Sequence, residues 1–339
     1  MKLRTVGLGL VASGVIGLGL LTVPLGATAA PSLPPVEPEA LIASVLAPHT
    51  DAFAGTVELD NQLGLPALPG IPQAANGKSA AQVATDGQNR GRVSLPSGAA
   101  ERLVVADGTT VWAWDSAKRT VTKTPADSKG APGATEPLAN PADAAKKLLD
   151  VARPFSTVSV DGTSEVAGRP AYELVLAPLP SERTLLREVR LAVDSEKRIP
   201  LRLTVLAHGS PNPVLKIGFT ELSFGPQDPA LFQFTPPEGA TVRERSASDV
   251  PDPGQLPAST MVGEGWDTVL LTKLPTEAGG GPSAAQLGGF VAALGKPVSG
   301  PWGNGRLITT TVASAILTDD GRVAVGAVPE QVLSQALSR

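Results

Sequence analysis

The sequence contains no cysteine. That excludes disulfides, thiolate metal sites and lipid attachment to an N-terminal Cys; a chain of this size has a core large enough to do without disulfides. Histidine is nearly absent too. His49 and His208 are the only two, and they do not form a two-His metal spacing. Aromatic residues make up 4% of the chain, too few for base-stacking platforms. Positive charge is in deficit: the formal net charge is −4, so there is no basic patch to displace counterions from nucleic acid. No Gly-x-Ser-x-Gly elbow, Ser-x-x-Lys pair or phosphate-binding loop occurs, and Gly279-Gly280-Gly281 lacks a downstream Lys. Nothing points to an enzyme, to a cofactor or to a metal.

What is present is half-apolar ribbon. From Leu185 to Val193 the odd positions are Leu185, Arg187, Val189, Leu191 and Val193. Leu201, Leu203 and Val205 repeat that phase, and Leu215, Ile217 and Phe219 repeat it again. Period-2 alternation predicts strands with one dry and one wet face, in an antiparallel sheet. Further strands are expected at Phe53–Leu59, Arg90–Leu95, Glu101–Ala106, Thr109–Asp115, Arg119–Thr124, Thr157–Asp161 and Arg169–Ala177. Turns are expected at Asp107-Gly108, Asp161-Gly162 and Asp194–Lys197. Asn61–Ala80, with LGLPALPGIP at its heart, reads as a loop: a plain insertion, or an apolar lid or membrane contact.

Helices are few. Pro38–Ala47 has Pro in the first turn and Glu39 at the positive end. Asn140-Pro141 opens a second helix, to about Ala152, with Ala145, Leu148, Leu149 and Ala152 inward and Pro154 as its stop.

The chain begins with Lys2 and Arg4, an apolar run from Val6 to Leu21, and Ala27-Thr28-Ala29. This pattern predicts a signal peptide over residues 1–29 and export to the periplasm or the outer face of the envelope. An uncleaved anchor is the alternative, although the apolar run is short for a span. Residues 244–259 are rich in Pro, Asp and Ser and read as a linker. A small C-terminal α+β domain is expected over 260–339. It comprises a strand at Trp266–Leu274, a helix at Ser283–Leu294, strands at Arg306–Thr318 and Arg322–Val328 around Asp319-Asp320-Gly321, and a closing helix at Pro329–Leu337.

So many one-faced strands with two short helices would leave a flat sheet undercovered. Curling toward a barrel solves this, and the interior is then either packed solid or a pocket for an apolar guest. The candidate lining residues are Phe53, Val57, Leu103, Val105, Trp112, Trp114, Val189, Leu191, Leu203, Val205, Ile217 and Phe219. Each could equally be ordinary core.

Several motifs occur in a telling order. Asp107-Gly-Thr-Thr-Val-Trp-Ala-Trp-Asp115 is followed by Lys118-Arg-Thr-Val-Thr122. Gly168-Arg-Pro-Ala-Tyr-Glu-Leu174, then Val193-Asp194, Ile199-Pro200-Leu-Arg-Leu203 and Phe232-Gln-Phe-Thr-Pro-Pro-Glu-Gly239 come after it. With Phe53-x-Gly55-x-Val57, this series resembles the LolA-like outer-membrane lipoprotein carriers over about residues 38–243. The resemblance implies an unclosed antiparallel half-barrel with a helical lid, binding a lipid or lipoprotein acyl chains non-covalently. The RseB/MucB regulators of envelope-stress sigma factors share that fold and carry a second domain. Their resemblance implies the alternative, a regulator that binds an anti-sigma factor or another membrane-anchored partner.

Overall fold

In the computed structural model, residues 31–64, 77–98, 100–126, 140–245, 259–273 and 295–339 are described. The expected helix at 283–294, all of the LGLPALPGIP motif but Leu63 and Gly64, and nearly all of the expected linker lie outside the described residues, as does the whole of the expected signal peptide. From Pro31 onward the chain is a single compact unit, mostly β, with two sheets that do not close.

The strands of the larger sheet are β1 (Phe53–Asn61), β2 (Gly77–Thr85), β3 (Arg90–Ser97), β4 (Ala100–Asp107), β5 (Thr110–Asp115), β6 (Thr120–Pro125), β7 (Ser156–Val166), β8 (Arg169–Pro178), β9 (Leu186–Asp194), β10 (Pro200–Ala207), β11 (Leu215–Phe224) and β12 (Thr241–Glu244). Their spatial order is β12-β6-β5-β4-β3-β2-β1-β11-β10-β9-β8-β7. Every pairing is antiparallel except β12 on β6. That exception has a cause. After β11 the chain crosses the sheet as a strap, through a 3-10 turn at Pro229–Phe232, and so reaches β6 running in its direction.

Helix α1 (Pro38–Leu46) starts with Pro in its first turn, and α2 (Pro141–Ala152) is capped by Asn140, whose side chain accepts the Asp143 N–H at 3.2 Å. Ala145 and Leu149, one turn apart, are the buried residues of α2. Leu148 is 54% exposed, contrary to the inward position expected from periodicity. The apolar stripe of this short helix is narrower than its sequence offers.

The smaller sheet holds β13 (Thr260–Val262), β14 (Val269–Lys273), β15 (Lys296–Gly300), β16 (Gly303–Thr309), β17 (Ser314–Thr318) and β18 (Arg322–Gly326), in the order β13-β14-β18-β17-β16-β15. Helix α3 (Glu330–Leu337) lays Val332, Leu333, Ala336 and Leu337 on Val269, Trp302, Ile316 and Ala324. Polar contacts tie this sheet to the β8–β9 loop. Arg183 Nε donates to Asp267 at 2.7 Å, Leu185 N–H donates to the Ala327 carbonyl at 2.8 Å, and Trp266 N–H donates to Glu182 Oε2 at 2.9 Å; the Trp266 indole also donates to Ser156 Oγ of β7 at 2.8 Å.

Four local expectations are corrected. Asp161-Gly162 is not a turn, because β7 runs through it with a register shift between Val160 and Thr163. The reversal comes at Ala167-Gly168, both at positive φ (51° and 74°), the geometry a tight hairpin needs. β2 occupies the end of the expected loop. Its sequence, GKSAAQVAT, has little apolar alternation, and it is a strand because β1 and β3 pair with it on both sides. The single strand expected over 306–318 is two, because Thr310 Oγ1 accepts the N–H groups of Val312 and Ala313 and turns the chain. Trp266 sits in a 3-10 turn, and the strand after it begins at Val269.

Candidate functional site

Register brings the apolar positions of β8–β11 and β1 into two rows. Leu174 pairs with Leu191, Leu191 with Leu203, Leu203 with Ile217, and Ile217 with Leu59. Beside them Leu176 pairs with Val189, Val189 with Val205, and Val205 with Leu215. Cross-strand partners share a face, so the rows form one continuous apolar strip. None of these side chains is fully buried, and Ile217 is 37% exposed. One corner of the strip is covered. Leu41 of α1 packs on Tyr172 and Val193, with Leu33, Val36, Val45, Leu174 and Leu191 around them. The Tyr172 hydroxyl donates to the Pro34 carbonyl at 2.9 Å, which ties the segment before α1 to the same corner.

The opposite face is closed around Arg202, where the wet face expected from alternation is not wet, while Gln82, Lys216 and Glu221 elsewhere on it are exposed. Arg202 shares that face with Ala192 and Gly218, and it donates to Glu173 Oε1 at 2.6 Å and to Ser164 Oγ at 3.1 Å. Gly218 makes room for it: a Cβ there would lie 2.9 Å from the Arg202 stem. Val166, Ala171, Ala192, Ile199 and Leu201 of this face form an apolar cluster against Phe219, Leu222 and Phe224, whose partners on β1 are Val57, Gly55 and Phe53, of the same parity as Leu59; the register shift in β11 lies between these pairs. The Phe53 ring meets Phe219 and Phe224 edge-on at 5.9 and 6.0 Å. Arg169 is paired with the buried Asp194 and lies 4.8 Å over the Phe224 ring. Burial by itself would push the Asp194 carboxyl up. Hydrogen bonds from Arg169 and from the Lys197 and Glu196 N–H groups outweigh it and hold the carboxyl below the usual range.

The candidate lining residues are therefore divided. Val189, Leu191, Leu203, Val205 and Ile217 stand together in the two rows, and Val57 lies two positions from Leu59 on the same face of β1. Phe53 and Phe219 belong to the aromatic cluster. Leu103 pairs with Trp114 and Val105 with Trp112, in a row that runs through Ser94 and Gln82 to Thr56. Thr56 adjoins Val57 in a strand, so this row is on the other side of the sheet. There the strap covers it: Phe234 meets Trp112 at 5.7 Å, Phe232 is buried, and Leu103 and Val105 are core. The rows also contain Leu59, Leu174, Leu176 and Leu215, absent from the candidate set. Alternation within β8 marked Leu174 and Leu176, but only register shows that they continue the strip.

Asp107 accounts for the hairpin motif. Its carboxylate accepts the N–H groups of Thr109 and Thr110 at 2.9 and 2.8 Å and the Trp112 indole N–H at 2.9 Å. Burial raises its pKa, and these hydrogen bonds, Trp112 first, more than reverse that. The motif thus holds a turn and orients a tryptophan. Among the described residues no group of three or more His, Asp or Glu is placed to hold a metal, and no helix is long and apolar enough to cross a membrane. His49 faces the Val45 carbonyl at 3.2 Å.

No family model and no curated protein matches the chain. Solved structures similar to it include the MucA/MucB complex of Pseudomonas aeruginosa (19% identity, TM-score 0.45, covering 89% of this chain and 96% of that one). A second complex, of MucB with MucA(peri), gives 17% identity and a TM-score of 0.43, covering 88% of this chain and 94% of that one. A LolA-superfamily protein of Nitrosomonas europaea gives 10% identity and a TM-score of 0.24, covering 59% of this chain and 99% of that one. These are the LolA-like and MucB-like proteins that the sequence motifs resemble.

Proposed function

We propose that this protein is an exported carrier or sensor, working in the periplasm or at the outer face of the envelope, that holds the acyl chains of a lipid or lipoprotein non-covalently. In this reading residues 38–243 are an unclosed half-barrel domain with α1 and α2 as its lid. Residues 244–259 are a linker and 260–339 a small second domain. No catalytic step is assigned. The observation that carries the reading is the apolar strip from Leu174 and Leu176 across to Leu59 and Leu215, wide, continuous and left half open. Each methylene buried on such a surface contributes about 0.8 kcal/mol, so affinity rises with the length and number of the acyl chains held.

Native mass spectrometry of gently purified protein, with titration by a fluorescent fatty acid, tests this. The expected result is a co-purifying lipid, or saturable uptake that Leu203→Ser abolishes. Protein that emerges lipid-free and takes up no probe would refute it.

A second reading is a regulator that binds a membrane-anchored partner. The MucB structures include its partner MucA, and Trp266 and Asp267, just before β14, bond to Glu182 and Arg183 of the β8–β9 loop. Co-purification from envelope extract separates the two readings: a stoichiometric protein partner without an acyl chain is expected for the regulator, and a lipid or an acylated protein for the carrier.

A further inference from the structure

The strap leaves a groove beside it, on the face opposite the apolar strip. The cleft measures about 480 Å³ and crosses β11, β1, β2 and β3. Its floor is made of small residues, Ala54, Gly55 and Ala84, and Leu231 of the strap forms a wall. Gly55 is required there, since a Cβ would lie 2.4 Å from the Glu221 carbonyl oxygen. Two charged side chains of opposite sign border the groove, Arg92 on β3 and Glu221 on β11. Arg92 shares a row with Ala84, Ala54 and Ser223, while Glu221 pairs with Thr56. Three inter-strand gaps separate their strands, about 14 Å across the sheet.

Neither charge has an ionic partner among the described residues. Arg92 Nη1 reaches the Leu231 carbonyl at 3.4 Å, and Glu221 accepts from Thr56 Oγ1 at 3.2 Å. Both are long for bonds to a charged group. Two arginines on the same side of the sheet are paired, Arg90 with Asp86 and Arg202 with Glu173. The groove thus has a floor of small residues, Ala54, Gly55 and Ala84, bordered by the polar Thr56, Gln82 and Ser223, and a charge without an ionic partner at each end.

We propose that this groove binds an extended peptide segment lying alongside the strap, with a carboxylate on Arg92 and an ammonium or guanidinium on Glu221. A gap of about 14 Å corresponds to an acid and a base about four residues apart in an extended chain. Small apolar side chains between them fit the shallow floor. The site is independent of acyl binding, because the two occupy opposite faces.

The test is NMR titration of the full chain, isotope-labelled, with the peptide Ac-Asp-Ala-Val-Ala-Lys-NH2. The expected result is saturable shifts at Ala54, Ala84 and Leu231. Arg92→Glu and Glu221→Lys should each weaken binding by up to about fivefold, the upper end for an exposed ion pair. Glu221→Lys should also come to prefer Ac-Asp-Ala-Val-Ala-Asp-NH2, which a merely structural role for Glu221 would not produce. Glu221 is exposed, so this variant serves even where Arg92→Glu fails to fold. The absence of saturable shifts at these residues, or unchanged affinity in both variants, overturns the proposal.

Discussion

The two faces of the large sheet carry apolar residues alike and are treated differently. On one face Leu103, Val105 and Trp112 lie beneath a strap that adds Phe232 and Phe234. On the other the rows through Leu191, Leu203 and Ile217 have α1 at one corner and stay half open elsewhere. Polar groups follow the same division. The closed face holds Arg202 with Glu173 and Arg169 with Asp194, pairs that only a sealed environment makes consequential. Stability is thus concentrated on one side, which leaves the other free to remain incompletely covered. A sheet sealed on both faces would be more stable and would have no surface for a guest.

This contrast can be broken most strongly at Phe232. It is 1% exposed, and Phe232→Ala should cost about 3–5 kcal/mol in urea unfolding through the cavity it leaves. Next, Glu173→Ala strands Arg202 on the closed face. A loss approaching 3 kcal/mol is expected, most of it recovered when Arg202 is replaced by Met as well; a double-mutant cycle checks this.

Acid should act through the same face. Asp194 has a lowered pKa when folded, so its contribution is present above the unfolded carboxylate value, about 3.9. It is lost as pH falls through the lower folded value. Asp194→Asn should therefore lower stability at neutral pH and flatten the acid limb, as followed by circular dichroism across pH 2–6 (a window set about the carboxylate range). The open face should be the mildest. Leu203→Ser is expected to cost about 1 kcal/mol, because its side chain is already partly in water, while removing acyl uptake. A loss as large as that of Phe232→Ala would place Leu203 in a closed core and end the contrast.

Much of this was legible in the residues. The ribbons from Leu185 to Phe219, the Asp107-Gly108 hairpin, the Asn140 cap and the scarcity of helix all follow from local patterns, and the structure has them. β2 was not legible, since its small residues carry no alternation and its pairing with β1 and β3 defines it. Nor was the division of the candidate lining. Alternation gives the parity of each strand separately, and Trp112 and Leu203 look alike by that measure.

The sequence by itself determined where most of the alternating strands and most turns fall and which side chains are apolar, because these depend on neighbours within a few positions. Only the tertiary structure decided which apolar face is sealed. That depends on the register linking Leu103 to Thr56, and on the path of a strap more than a hundred residues further along the chain. Inter-strand phase is a property of pairing and not of composition, so no single strand can encode it.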